Sequence, residues 1–188
     1  MKQLGLSLFI SSLWICGAQA APHPATSTSA LTAPEKGLYF AHKGFTLKTE
    51  GTTWVPVNST ESVLDTVKLG PAGTTSQASL SVRTDKLSKN ADLDLYTRKW
   101  MRDYPSYGFE VLATKHLTLN GSPALLVDML SRSKNKQIRQ VILKRDDQVA
   151  IMTCMDVRES FDKALAQCNQ IIKSFSWNSP STTKATTP

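Results

Sequence analysis

Two periods of hydrophobic and polar residues run through positions 37 to 177 of the chain. Alternation at every second residue marks strands, and recurrence near every 3.6 residues marks helices. G-L-Y-F at 37–40 and F-T-L-K at 45–48 read as two short strands, with a turn at His42, Lys43 and Gly44. W-V-P-V at 54–57 reads as irregular or edge structure, because Pro56 has no N–H to give a ladder. Residues 62–69 alternate weakly, G-P-A-G at 70–73 is a loop signal, and 77–83 alternates as a half-buried strand does. A helix is expected from Asn90 or Asp92, since either side chain caps free N–H groups. Leu93, Tyr96, Trp100 and Tyr104 recur along it, with Met101 beside them, and Pro105 and Gly108 end it. This stripe reads as core packing rather than a ligand platform, with Arg98, Lys99 and Arg102 on the outer side.

Hairpin-linked strands follow. The run 109–119 leads to Asn120-Gly121, a tight-turn signal, and 124–130 returns. Ser133 to Lys136 turns again into 137–144, and Arg145-Asp146-Asp147 turns into 149–155. A-L-L-V-D-M-L and V-A-I-M-T-C-M are apolar on both faces, so they need cover on both faces. The expected architecture is an α/β (α+β) fold, an antiparallel sheet with helix or loop packed on each side. A closing helix starts near Arg158 or Glu159, where Phe161, Leu165, Cys168, Ile172 and Phe175 form one stripe flanked by Ala164 and Ile171.

That stripe puts Cys168 on the buried face. If the helix folds back over the strand before it, Cys154 lies roughly 13 Å down the strand at about 3.3 Å per residue. Cys168 lies roughly 15 Å back along the helix at 1.5 Å per residue. The two sulfurs then sit level, within reach of a disulfide if their Cβ vectors agree. The other readings are a redox pair, half of a metal site, or two buried free thiols. A redox pair usually has C-x-x-C spacing at a helix start, and a zinc site needs about four ligands. His23, His42 and His116 are not spaced with the cysteines. A structural disulfide is the reading adopted.

The ends of the chain locate it. Lys2, an apolar run over 4–15 and Ala18-Gln19-Ala20 form a secretory signal, cleaved after Ala20. Residues 21–36 read as a flexible leader, 37–177 as one domain and 178–188 as a disordered tail. No transmembrane helix is expected after cleavage, and the protein is expected to be exported, periplasmic or extracellular, and monomeric. The formal net charge is +7, from 22 Lys and Arg against 15 Asp and Glu, which permits anionic partners. Export makes nucleic acid the least expected of them. Lys115, Arg132, Lys134, Lys136, Arg139, Lys144 and Arg145 cluster around the hairpin ends. They read either as a solvated rim that discourages edge pairing or as an anion-binding face, joined by Arg98, Lys99 and Arg102 if that helix lies nearby.

The sequence carries no G-x-S-x-G, H-E-x-x-H, phosphate-cradling or dinucleotide motif, and no cofactor or metal site is assigned. Asp146-Asp147 and Asp92 with Asp94 read as turn and helix-start charges. Asn58-Ser59-Thr60 and Asn120-Gly121-Ser122 match the glycosylation sequon, the second being better explained as a turn.

The assembled order resembles the PsbP-like fold, and within it small bacterial exported proteins of the DcrB-like type. The likeness rests on G-F-T-L-K-T-E-G-T-T-W at 44–54, D-L-Y-T-R-K-W-M at 94–101, the Asn-Gly hairpin and Q-I-I-K-S-F at 170–175. Here E-G-T-T at 50–53 stands where that pattern has a proline before the glycine-tryptophan step. The resemblance implies a three-layer α/β/α sandwich that acts as an extrinsic binding or assembly subunit, with no catalytic residues. The expected function is non-enzymatic docking on an envelope component or partner protein, with anionic glycolipid or lipid, of the envelope or of a host, as a candidate ligand. The alternative is a fully secreted effector acting on host material, an enzyme of unfamiliar type.

Overall fold

Among the described residues, ten strands and two α-helices follow one another in the order β1, β2, β3, β4, β5, α1, β6, β7, β8, β9, α2, β10, with a 3-10 helix at Tyr104–Tyr107 after α1. The structure is a computed structural model and describes residues 38–39, 44–57 and 66–178, all within one unit spanning Ala33–Pro188. The expected signal, the leader, His23, His42, the Asn58 sequon, residues 62–65 and the tail from 179 lie outside the described residues.

The main sheet has seven strands, all paired antiparallel, in the order β3-β4-β5-β9-β8-β7-β6. Its spine is the meander of β6 (Glu110–Leu119), β7 (Ser122–Ser131), β8 (Lys136–Arg145) and β9 (Gln148–Val157). Asn120 and Gly121 both have positive φ, 50° and 80°, the conformation a two-residue turn needs to match the strand twist. On the far side of β9 lie β5 (Ser79–Lys86), β4 (Thr66–Pro71) and β3 (Trp54–Pro56). Pro56 sits on the edge strand, where its missing N–H breaks no ladder. A smaller sheet pairs β2 (Phe45–Lys48) with β1 (Leu38–Tyr39) and with β10 (Ser176–Trp177). The last pairing continues order past Trp177: the Asn178 N–H donates to the Gly44 carbonyl at 2.9 Å.

The two faces of the main sheet are unequal. One carries α2 (Phe161–Lys173), whose Phe161, Ala164, Cys168, Ile171 and Ile172 enter a core with Leu69, Leu80, Val82, Leu143, Met152 and Cys154. The other carries α1 (Leu93–Asp103), whose Leu93, Tyr96 and Met101 pack on Leu125, Val127, Met129, Ile138, Ile142 and Ile151. Thr97 is the one fully buried residue of α1, and its hydroxyl donates to the Leu93 carbonyl at 2.9 Å, so it enters the interface with its polar group satisfied. The contact line of α1 therefore runs through Leu93, Thr97 and Met101. Trp100 is rotated to its edge, where the Arg83 guanidinium lies 5.3 Å from the ring centroid.

The expected three-layer sandwich is thus only partly formed. The fold is mixed α/β, but mostly antiparallel sheet with two helices, and α1 covers its face incompletely. Part of that face is tied by polar groups instead. The Tyr104 hydroxyl donates to Gln140 Oε1 at 2.6 Å, and Gln140 Nε2 donates to Thr153 Oγ1 at 3.2 Å.

Cys154 on β9 and Cys168 on α2 form a disulfide with Cα atoms 6.0 Å apart, both side chains wholly buried. Replacing both by alanine removes a cross-link between residues 14 apart and should lower unfolding free energy by about 3 kcal/mol in denaturant titrations. A thiol count on unfolded, unreduced protein should find neither cysteine free.

Candidate functional site

The basic residues gathered around the hairpins by the sequence are divided by the geometry. Arg132, Lys134 and Lys136 lie at the β7–β8 turn, while Lys144 and Arg145 lie at the opposite end of the ten-residue strand β8. That separates them by roughly 30 Å at about 3.3 Å per residue. Alternation along β8 also divides them between faces: Lys136 and Lys144 share the α1 side with Ile138 and Ile142, and Arg139 and Arg145 share the α2 side with Val141 and Leu143.

Several of these cations are engaged. The Arg139 guanidinium donates to both Asp128 carboxylate oxygens at 2.7 Å, across a pair opposed in the β7–β8 register. Asp128 hydrogen bonding, against the opposing effect of burial, raises the Arg139 pKa. Arg132 binds Glu110 at 2.9 Å. Lys144 Nζ donates to the Lys89 carbonyl at 2.7 Å and holds the loop before α1. Arg145 donates to the Asn178 carbonyl at 3.0 Å and lies over the Trp177 ring. Lys134 lies near the Phe109 ring, and Lys115 is exposed on β6. Arg98, Lys99 and Arg102 line a separate shallow depression on α1 with Leu95.

His116 falls beside an open cleft of about 610 Å³ between the start of α1 and the β6–β7 hairpin, with Asp94 and Ser122 on its walls. His116 Nε2 lies 3.7 Å from Asp94 Oδ2, beyond hydrogen-bond distance, and the side chains are 73% and 42% exposed. Among the described residues no nucleophile is hydrogen-bonded to the imidazole, so His116 and Asp94 form no assembled catalytic pair in this arrangement. Among the described residues, no cluster of three potential metal-ligating side chains forms.

A second cleft, of about 460 Å³, is better enclosed and was not anticipated. It lies between the first half of α2 and the β3–β5 end of the sheet, walled by Trp54, Pro71, Ala78 and Ala164. Its polar lining includes Asp156, Ser160, Lys163 and Gln167. The last three, with Ala164, follow the spacing of one helix face. Asp156 is only 3% exposed: Oδ1 accepts from the Val157 N–H at 2.8 Å, and Oδ2 accepts from the Ser160 hydroxyl at 2.7 Å. Gln167 Oε1 is buried without a protein partner. The disulfide ties the adjacent helix turn to β9, which fixes this wall of the cleft. The one sequence signal available was Asp156, an acid two residues past Cys154 on the same strand face.

Two turn asparagines hold the ends of α2. Asn120 Nδ2 donates to the Lys173 and Phe175 carbonyls. Asn135 Nδ2 donates to both Glu159 carboxylate oxygens, at 2.9 and 3.0 Å. That bond holds the Glu159 carboxyl below its ordinary range.

No family profile and no curated protein matches the chain. Solved structures do. The chain is similar to the solution structure of cyanobacterial PsbP from Synechocystis sp. PCC 6803, with TM-score 0.56 and 11% identity over 76% of this chain and 94% of that one. The fold is PsbP-like. The chain is also similar to the crystal structure of a protein of unknown function from Pseudomonas aeruginosa, with TM-score 0.50 and 15% identity over 68% of this chain and 99% of that one. At these identities the PsbP-like fold is shared and nothing finer is carried over.

Replacing Arg139 by alanine strands the Asp128 carboxylate on a half-buried sheet face and should lower stability by about 2 kcal/mol, read from denaturant midpoints. Burial raises the pKa of Tyr96, with Asp85 accepting its hydroxyl proton, and burial likewise raises that of Tyr104. A phenol whose folded pKa lies above its unfolded value stabilises the fold fully below about pH 10, and that contribution fades as pH rises through the folded value. Phenolate absorbance should therefore contain late-titrating components that Tyr96→Phe and Tyr104→Phe each remove.

Proposed function

We propose that this protein is exported and works as a non-enzymatic binding module of PsbP-like fold, whose ligand seat is the cleft between α2 and the β3–β5 end of the sheet. The observation that carries the reading is the convergence of Asp156, Ser160, Lys163 and Gln167 on one partly enclosed cavity. A concavity that combines apolar surface with several polar side chains is the usual make-up of a ligand pocket. The buried disulfide supports export, since such bonds persist in oxidising compartments. Among the described residues no helix is long and apolar enough to cross a membrane. Docking on an envelope component or partner protein is the role this reading assigns.

A basic docking surface for anionic lipid is the competing version. Its supports are Lys115, Lys134 and Lys136, which form no ion pair among the described residues. Two measurements separate the versions. Isotope-labelled protein is titrated with a mixture of amino acids, short peptides, sugars and polyamines, and the Ser160, Ala164 and Gln167 amides should shift. Unmoved cleft amides, together with salt-sensitive binding to anionic phospholipid vesicles that charge reversal at Lys134 and Lys136 abolishes, would replace the cleft by the basic surface. Fractionation of the producing cells should find the protein in the periplasm or the culture supernatant, and a cytoplasmic pool would remove export.

A further inference from the structure

The cleft's charges constrain its ligand, and the argument here rests on the binding role just proposed. Asp156 is the one acidic side chain among the buried residues described. It makes no ion pair among the described residues. A carboxylate buried without a cation is expensive unless something else compensates it, and its two hydrogen bonds use about half of its acceptor sites. The carboxylate calls for a positively charged N–H donor.

Lys163 lies on the same helix face and lines the same cleft, but is exposed. It opposes a ligand that is only a cation, as Asp156 opposes one that is only an anion. The formal charges of the lining cancel, with the negative group buried and the positive one at the solvent side. The cleft also has an apolar wall of Trp54, Pro71, Ala78 and Ala164, with Thr53, Thr74 and Ser76 beside it.

We infer that this cleft binds a free amino acid with an apolar side chain. Its ammonium is directed to Asp156, its carboxylate to Lys163 and its side chain to the apolar part of the wall. The volume of about 460 Å³ lies within the range of small-molecule pockets.

The test is calorimetry with NMR on the oxidised protein, using L-leucine, N-acetyl-L-leucine, L-leucinamide and maltose. Leucine should bind and shift the Ser160 and Gln167 resonances. Removing the ammonium or the carboxylate should each weaken binding at least about tenfold, which is about 1.4 kcal/mol. Asp156→Asn keeps an acceptor for Ser160 but loses the charge, and should lose leucine by a similar factor. If that variant does not fold, Lys163→Ala decides the matter: it should weaken leucine and leave leucinamide unchanged or improved. Equal binding of leucine and N-acetyl-leucine overturns the proposal. Cleft shifts with maltose but not leucine overturn it while leaving the binding role intact. Silence at the cleft with every probe, including the mixture used to test the binding role, overturns both.

Discussion

The docking of α2 onto the sheet is the constraint from which the rest of the structure follows. Three fasteners act on this helix. The disulfide holds its middle, Asn135 reaches the residues that precede it, and Asn120 reaches the carbonyls at its end. Each asparagine sits in a hairpin turn of the meander, at opposite ends of the sheet. The turns that set strand register therefore also set the helix position. With α2 placed, Phe175 stacks on Phe45 at 5.4 Å and β10 pairs with β2, so the small sheet is assembled by what the helix does next.

The opposite face is built on another principle. Its apolar cluster is smaller, and α1 lies on it as a partial cover. Hydrogen bonds through Tyr104, Gln140 and Thr153, and between Tyr96 and Asp85, replace part of the apolar contact. Such bonds are directional and add little net stability each. This face is therefore expected to open more readily than the α2 face, where buried area and a covalent bond act together.

Strand and helix existence was legible because the meander and α2 carry long, regular periods and strong turn residues. The level placement of Cys154 and Cys168 was legible too, because rise per residue is known for both elements. The contact line of α1 was not. Aromatic residues dominate its pattern, but Thr97 is the residue that the interface buries, since its hydroxyl is satisfied within the helix. The distribution of the basic residues over two strand ends and two faces was not legible, because linear proximity across hairpins says nothing about the length of a strand or which way its side chains alternate. Arg139 is a sheet-face ion pair with Asp128 rather than a rim charge. The cleft was hidden for a further reason: Trp54, Asp156 and Gln167 come from three distant segments, and only the folded chain brings them to one cavity.

Asn120 has one more consequence, in the chemical lifetime of the protein. An asparagine followed by glycine is the arrangement in which the next backbone nitrogen most easily attacks the side-chain amide, expelling ammonia to form a cyclic imide that water then opens to aspartate or isoaspartate. Here that exchange would convert a donor into an anion. The anion would face the Lys173 and Phe175 carbonyls, at the negative end of the α2 dipole. The bond that fastens the helix terminus would become a repulsion. Slow ageing at a single surface turn would thus be felt first as loosening of the C-terminal end of α2 and of the strand that follows it.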